Sequence, residues 1–181
     1  MQPRLAQGFT LPEVLVALVV LALGVLGAGA MQLTAQRVRL ESQWLSSASR
    51  LAADAAARVR ANAAQADAVY AGFDFDARFE SAPGPSFACA DAPCDSAQLA
   101  HADLAELKQQ VMQTLPSGRV RICRDRHMWQ GGRLRWTCDG GAKAPLVIKI
   151  GWRARRPDGQ SDTDADGYAP GVALALAGVA P

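Results

Sequence analysis

Four cysteines carry the most readily identified chemistry in this sequence: Cys89, Cys94, Cys123 and Cys138. Four cysteines allow three pairings. Their spacing contains no C-x2-C pair of the kind that binds zinc or forms a thioredoxin-type redox dithiol. We therefore predict two structural disulfides, with Cys89–Cys94 and Cys123–Cys138 as the favoured pairing. Structural disulfides indicate an oxidising compartment.

Arginine dominates the segment from residue 119 to residue 135, with Trp129 inside the segment and Trp136 directly after it. The six are Arg119, Arg121, Arg124, Arg126, Arg133 and Arg135. A basic hairpin with aromatic side chains can contact phosphates and stack on bases, so Arg121, Arg124 and Arg133 are candidate nucleic-acid ligands. The alternative is that arginines simply occupy exposed strand positions, and a net charge of only +2 favours this alternative.

An acidic stretch near the C-terminus has the spacing that opens a calcium-binding loop. Asp162, Asp164 and Asp166 precede Gly167 in the pattern D-x-D-x-D-G. The twelfth position, which carries a bidentate acid in such loops, is Ala173. A solvated acidic loop is therefore the simpler interpretation, and we predict no cofactor other than this calcium candidate.

The sequence offers no enzymatic constellation. His101 and His127 have no nucleophile or carboxylate pattern around them, and each is interpreted as a residue of a helix face or a loop. We therefore predict a protein that is not an enzyme.

The N-terminal part of the chain is far more apolar than the rest. The 18 residues from Val14 to Met31 contain no charged or strongly polar side chain, whereas the whole chain is 50% hydrophobic and 20% charged. As a helix they would extend about 27 Å, close to the hydrocarbon thickness of a bilayer. We predict that they enter a membrane, because a core helix of a soluble protein would have a polar face. A cleaved secretory signal is the alternative, since Ala28-Gly29-Ala30 has the form of a signal-peptidase site, although Glu13 argues against it.

The residues ahead of this run carry a resemblance to a known signal. Gly8-Phe9-Thr10-Leu11-Pro12-Glu13, followed directly by the apolar run, resembles the class III signal of type IV prepilins and type II secretion pseudopilins. The resemblance implies cleavage between Gly8 and Phe9 by a prepilin peptidase, and N-methylation of Phe9. It also implies an assembly role for Glu13, whose carboxylate would pair with the N-terminal amine of a neighbouring subunit. Pro12 departs from the commoner Leu or Ile but is tolerated in a first helical turn.

Two helices are predicted from periodicity and from helix-ending residues. The first continues from about Leu11 to about Tyr70, since no Pro or Gly occurs between Met31 and Ala71 and the pattern there is amphipathic. A loop follows over residues 72–95. The second helix is predicted from Ala97 to about Leu115, with Asp95 or Ser96 as its cap. Its predicted inner side consists of Leu99, Leu104, Leu107 and Val111.

The remaining residues predict a small sheet. Strands are expected at residues 119–124, 134–138, 146–152 and 172–176, with turn residues between them. The short connections favour antiparallel pairing, so the predicted fold class is α+β, with an antiparallel meander packed on the long helix.

The order of these parts resembles the PilV-type minor pilins of type IV pili over nearly the whole chain. The segments that carry the resemblance, after the signal, are Asp103-Leu104-Ala105-Glu106-Leu107-Lys108, Cys138-Asp139-Gly140 and Val147-Ile148-Lys149-Ile150-Gly151-Trp152. The sequence departs from the family after Trp152, where Arg153-Ala154-Arg155-Arg156 follows directly. The resemblance implies a type IV pilin-like fold and a structural subunit that primes pilus assembly or modifies the pilus tip, in support of twitching motility and adhesion.

The expected organisation is a leader at residues 1–8, a transmembrane or filament-core helix at 9–32, an amphipathic half-helix at 33–70 and a periplasmic head at 71–181. The resemblance implies as partners the prepilin peptidase, the major and other minor pilins and an inner-membrane assembly platform. It also implies a Gram-negative bacterium and a single-pass inner-membrane protein that later enters the pilus. The alternatives are a type II secretion minor pseudopilin, a DNA-binding competence pilin that uses Arg119–Arg135, and a soluble periplasmic protein released after Ala30.

Overall fold

A computed structural model describes residues 8, 10–81, 89, 93–141, 143–153 and 168–176 of the chain. The chain divides into two compact units, Met1–Glu41 and Ser42–Pro181. The first unit contains the N-terminal part of the first helix. The second unit, called the head below, contains the rest of that helix and all other described elements.

Helix α1 covers Leu11–Ala61. The carbonyl of Thr10 accepts hydrogen bonds from the amides of Glu13 and Val14, at 3.1 and 3.3 Å, and these bonds begin the helix. Every residue of α1 in the first unit is exposed. An 18-residue window of α1 has a mean hydropathy of 2.7 and no buried residue, so α1 is long and apolar enough to cross a membrane.

Within the head, α1 buries a face made mostly of small residues. They are Ala48, Leu51, Ala52, Ala55, Ala56 and Val59. Because alanine carries only a methyl group, the helix backbone can lie close to the elements that it contacts. This face joins the strands in a single hydrophobic core.

The α-helical geometry ends at Ala61, short of the predicted end at Tyr70. Asn62 leaves the helical conformation, with φ −122° and ψ 46°, and its side-chain amide donates to the carbonyl of Ser96 at 2.7 Å. A 3₁₀ turn at Ala63–Gln65 and a π-helical turn at Ala66–Tyr70 follow. The expected continuous helix is wrong over these residues because Asn62 binds the start of the next helix.

The described residues contain six strands. They are β1 Phe73–Asp76, β2 Arg119–Arg124, β3 Trp129–Gln130, β4 Arg133–Leu134, β5 Leu146–Gly151 and β6 Val172–Leu176. Four of them form an antiparallel sheet in the order β1-β2-β5-β6, and β3 pairs with β4 in a separate hairpin. Ile122 lies opposite Ile148, which lies opposite Leu174, and all three pack in the same core as α1. The predicted fold class, a long N-terminal helix packed on a small antiparallel sheet, is confirmed.

The strand prediction is correct for β2, β5 and β6 and wrong at two places. Residues 134–138 do not join the sheet, because the carbonyls of Arg135 and Thr137 accept hydrogen bonds from the Lys149 ammonium group rather than from a neighbouring strand. The second difference is β1, which lies inside the predicted loop at 72–95. Its alternation of Phe and Asp is a strand pattern of only four residues, and it becomes a strand by pairing with β2.

Helix α2 covers Ser96–Thr114 and is capped by Asp95. The Asp95 carboxylate accepts from the backbone amide of Gln98, and the Gln98 side chain accepts from the amide of Asp95, which forms a capping box. The buried side of α2 consists of Ala100, Leu104, Leu107 and Val111. Leu99, predicted on this side, is 43% exposed, and Ala100 takes its place in the core.

Candidate functional site

The N-terminal motif is fully exposed where the structure describes it. Gly8 is exposed, and a Cβ atom added to it would meet nothing within 4 Å. Glu13 lies in the first turn of α1, where the helix dipole favours a carboxylate. Among the described residues Glu13 has no ion-pair partner. Phe9, the predicted methylation site, lies outside the described residues.

The apolar surface behind Glu13 surrounds the helix on every side. Leu15, Val16 and Leu18 point in different directions around α1, and they are 55%, 63% and 57% exposed. A helix that is apolar on every face is stable when lipid or other apolar helices cover it. The exposed surface of α1 therefore fits insertion into a membrane or into a bundle of similar helices.

Both disulfides of the head join the pairs that the sequence favoured. Cys89 is bonded to Cys94 and Cys123 to Cys138, with Cα–Cα distances of 5.3 and 6.3 Å. No cysteine of the chain is free. The second disulfide joins the end of β2 to the segment after the β3–β4 hairpin.

The structure does not bring the three candidate nucleic-acid ligands together on one exposed hairpin. Arg121 lies in β2, 3.6 Å from the Asp74 carboxylate of β1. The Arg124 side chain is 8% exposed and makes two 2.9 Å hydrogen bonds to the carboxylate of Asp67. Only Arg133, in β4, is exposed. The expected hairpin is divided because β2 pairs with β1 and β5, whereas Arg133 belongs to the separate β3–β4 pair.

A buried charge network that the sequence analysis missed lies on the sheet face opposite α1. Nζ of Lys149, in the middle of β5, lies 2.5 Å from a carboxylate oxygen of Asp125. Arg135 Nη2 lies 3.7 Å from the other oxygen of Asp125 and 2.5 Å from the Asp139 carboxylate. The one sequence signal for this network was a lysine inside the otherwise apolar strand β5.

Residues 135–138, called the covering segment below, lie over this face of β5, and Trp136 fixes them there. Its indole N–H donates to the carbonyl of Tyr168, and the guanidinium of Arg119 lies 4.5 Å from the ring centroid. A Cβ atom at Gly151 would lie 2.7 Å from the Trp136 ring, so the indole rests directly on the β5 backbone. Burial raises the pKa of Tyr168 to about 12.

A second charged cluster joins α1 to α2. The guanidinium of Arg58 contacts the carboxylates of Asp54, Asp103 and Glu106 at 2.9, 3.0 and 2.6 Å. The hydroxyl of Tyr70 donates to Asp103 at 2.6 Å, and burial together with this carboxylate raises the pKa of Tyr70. These contacts hold the two helices together, and they occupy the Arg58 guanidinium, so Arg58 is not available to a ligand.

The remaining candidates are not assembled into a site in the described part of the chain. Asp162, Asp164 and Asp166, the calcium candidates, lie outside the described residues. His101 is exposed on α2, and Nδ1 of His127 lies 2.8 Å from Asp139. No group of three His, Cys, Asp or Glu side chains in the described residues could hold a metal ion.

Comparison with protein families finds one match. Residues 3–29 match the prokaryotic N-terminal methylation motif, which includes Gly8, Phe9 and Glu13. Comparison with curated proteins and with solved structures finds no match. The motif supports a type IV pilin-like protein with a class III signal, and pilin-like proteins that carry it are structural subunits.

Proposed function

We propose that this type IV pilin-like chain is a minor pilin, a structural subunit that helps to prime assembly of a type IV pilus or modifies its tip. The observation that carries the proposal is the continuity of α1. The methylation motif leads into an exposed apolar helix, and the C-terminal part of the same helix contributes its alanine face to the core of the head. A subunit of this design is anchored first in lipid and then among similar helices, while the head stays outside the apolar layer.

The proposed maturation removes residues 1–8 and leaves an amine on Phe9. Glu13 follows four residues later in the sequence, and its carboxylate has no ion-pair partner among the described residues. A charged group inside an apolar helix bundle is stabilised when an opposite charge meets it, and the amine of a neighbouring subunit supplies that charge. The register between subunits would then follow from this pairing.

Mass spectrometry of the mature N-terminus tests the proposed maturation. We expect the purified chain to begin with N-methylated Phe9, and a Gly8→Val variant to keep its leader because a branched side chain obstructs the scissile bond. Gly27→Ala is the matched control, since an added Cβ at Gly27 meets nothing within 4 Å, and it should mature normally. A mature chain that begins at Met31 would show a cleaved secretory signal and overturn the proposal.

The assembly role of Glu13 is tested by separating membrane insertion from incorporation. We expect Glu13→Gln to leave the amount of mature chain in the membrane unchanged and to reduce its amount in sheared filaments. Glu41→Gln, at another exposed position of α1, should be incorporated like the wild type. Equal incorporation of both variants would contradict the role of Glu13.

Co-purification decides between a pilus and the alternative, a type II secretion system. We expect the mature chain to co-purify with pilins and the inner-membrane pilus platform. Recovery with secretion components instead would make it a minor pseudopilin. The competence-pilin alternative is less favoured, because Arg121 and Arg124 contact carboxylates of the head itself.

A further inference from the structure

Lys149 and Asp125 form the most deeply buried ion pair in the described part of the chain. Both side chains are 0% exposed, and Nζ of Lys149 lies 2.5 Å from Oδ2 of Asp125. Lys149 is in the middle of β5, where every residue is buried. The minor-pilin role proposed above makes no use of this pair. Burial removes the hydration that stabilises both charged groups, and this favours transfer of a proton from the amine to the carboxylate.

Backbone groups hold both side chains in place. Nζ also donates to the carbonyls of Arg135 at 2.9 Å and Thr137 at 2.8 Å. Oδ1 of Asp125 accepts from the amides of His127 at 3.0 Å and Asp139 at 3.4 Å. Oδ2 thus faces the amine, whereas Oδ1 faces two backbone N–H groups and lies 3.7 Å from Nη2 of Arg135. Paired N–H donors of this kind stabilise the negative charge that develops on oxygen during acyl transfer.

We propose that Lys149 and Asp125 condense to an intramolecular amide that cross-links β5 to the segment following β2. One proton passes from Nζ to Oδ2 along their hydrogen bond, which gives a neutral amine and a carboxylic acid. Nζ then forms a bond to Cγ, and Oδ1 takes the negative charge in front of its two N–H donors. The Cγ–Oδ2 bond breaks, and Oδ2 leaves as water with its own proton and a second proton from Nζ. No oxidant, metal or further reactant is consumed.

Two properties of the site favour this reaction. Burial lowers the pKa of Lys149 although the hydrogen bond that Nζ donates to Asp125 opposes the shift, so the neutral amine forms more readily than in an exposed lysine. The fixed contact also replaces a bimolecular encounter, and oriented intramolecular pairs reach effective concentrations of about 10⁵ M or more. The amide nitrogen keeps one hydrogen and with it one of its two carbonyl contacts.

The cross-link would close a loop next to the Cys123–Cys138 disulfide. Asp125 and Lys149 are separated by 24 positions, and this interval contains the β3–β4 hairpin, Trp136 and Cys138. An amide is not broken by thiols. The covering segment would therefore stay attached to the sheet after the disulfide is reduced.

The test is the mass of the intact, detergent-solubilised mature chain after reduction and alkylation. We expect the wild type to be lighter than its calculated mass by one water molecule. Lys149→Met, which has a similar length but no amine, should have its full calculated mass. A wild-type chain at its full calculated mass would overturn the proposal.

Trypsin digestion of the wild type decides the position of the water loss, even if the variant does not fold. Without a cross-link, trypsin releases residues 144–149, 150–153 and 125–126 as separate products. With the amide, Lys149 is not cleaved, and a branched product joins residues 144–153 to residues 125–126. A free 144–149 peptide together with water loss elsewhere, as in an Asp-Gly succinimide, would equally refute the cross-link.

Discussion

Replacing Arg124 with alanine tests whether this arginine serves the fold rather than a ligand. Its guanidinium makes two 2.9 Å hydrogen bonds to the Asp67 carboxylate and a third, also 2.9 Å, to the carbonyl of Ala144. These contacts join the end of β2 to the π-helical turn and to the segment before β5. The substitution removes all three hydrogen bonds and the packing of the aliphatic stem.

The magnitude follows from the exposure of the two partners. The Asp67 side chain is 52% exposed, so its carboxylate returns to water and the lost pair costs only about 1 kcal/mol. Ala144 is 1% exposed, and a buried carbonyl without a donor costs about 1 to 3 kcal/mol. We therefore expect Arg124→Ala to lower the free energy of unfolding by about 2 to 4 kcal/mol. For a domain of this size that corresponds to a fall in Tm of roughly 5 to 15 °C.

Thermal unfolding of the detergent-solubilised chain, followed by tryptophan fluorescence and near-UV circular dichroism, measures this loss. Arg133→Ala is the matched control, because it removes the same charge from an exposed position in β4 and should leave Tm nearly unchanged. Equal Tm values for the two variants would refute the buried geometry of Arg124. In that case the nucleic-acid interpretation of the arginine-rich segment would regain its support.

Two further predictions concern the covering segment and the tyrosines. Gly151→Ala places a methyl group 2.7 Å from the Trp136 ring and should lower the free energy of unfolding, measured by urea denaturation, by about 1 to 3 kcal/mol. Gly141→Ala, which meets nothing within 4 Å, should leave it unchanged. Tyr70 and Tyr168 are the only tyrosines, and burial raises the pKa of both, so the folded chain should show little tyrosinate absorbance near pH 10, where the urea-unfolded chain titrates. Because the folded state then binds more protons than the unfolded state, stability should fall as pH rises from about 10 towards 12, and tyrosinate formation at pH 10 in the folded chain would contradict this.

Sequence periodicity was sufficient where local pattern and tertiary contacts agree. The length of the apolar run of α1 favours a helix, and the short segments of β2, β5 and β6, bounded by turn residues, favour strands. Sequence periodicity failed where a contact with residues distant in the sequence determines the local conformation. Asn62 ends the helix through a hydrogen bond to a residue 34 positions away, and β1 exists because β2 lies beside it.

The candidate sites divide along the same line. The N-terminal motif is contiguous, so Gly8, Phe9 and Glu13 could be identified without a structure. The arginine-rich segment looked basic because the sequence does not show that Asp67 and Asp74 meet it from distant positions. The contact of Lys149 with Asp125 depends on the register of β5 and on the fold of the covering segment, and neither can be read from residue types.

Strand β5 is enclosed on both faces, since α1 lies against one face and the covering segment lies against the other. Strands β2 and β6 flank it in the sheet. Amide hydrogens of such a strand exchange with solvent only when a large part of the domain opens. We expect the amides of Val147, Ile148 and Ile150 to be the slowest to exchange in deuterated solvent. The exchange rate at these amides would then report global opening of the head. It would also show that β5, the strand that carries Lys149, is the last part of the head to unfold.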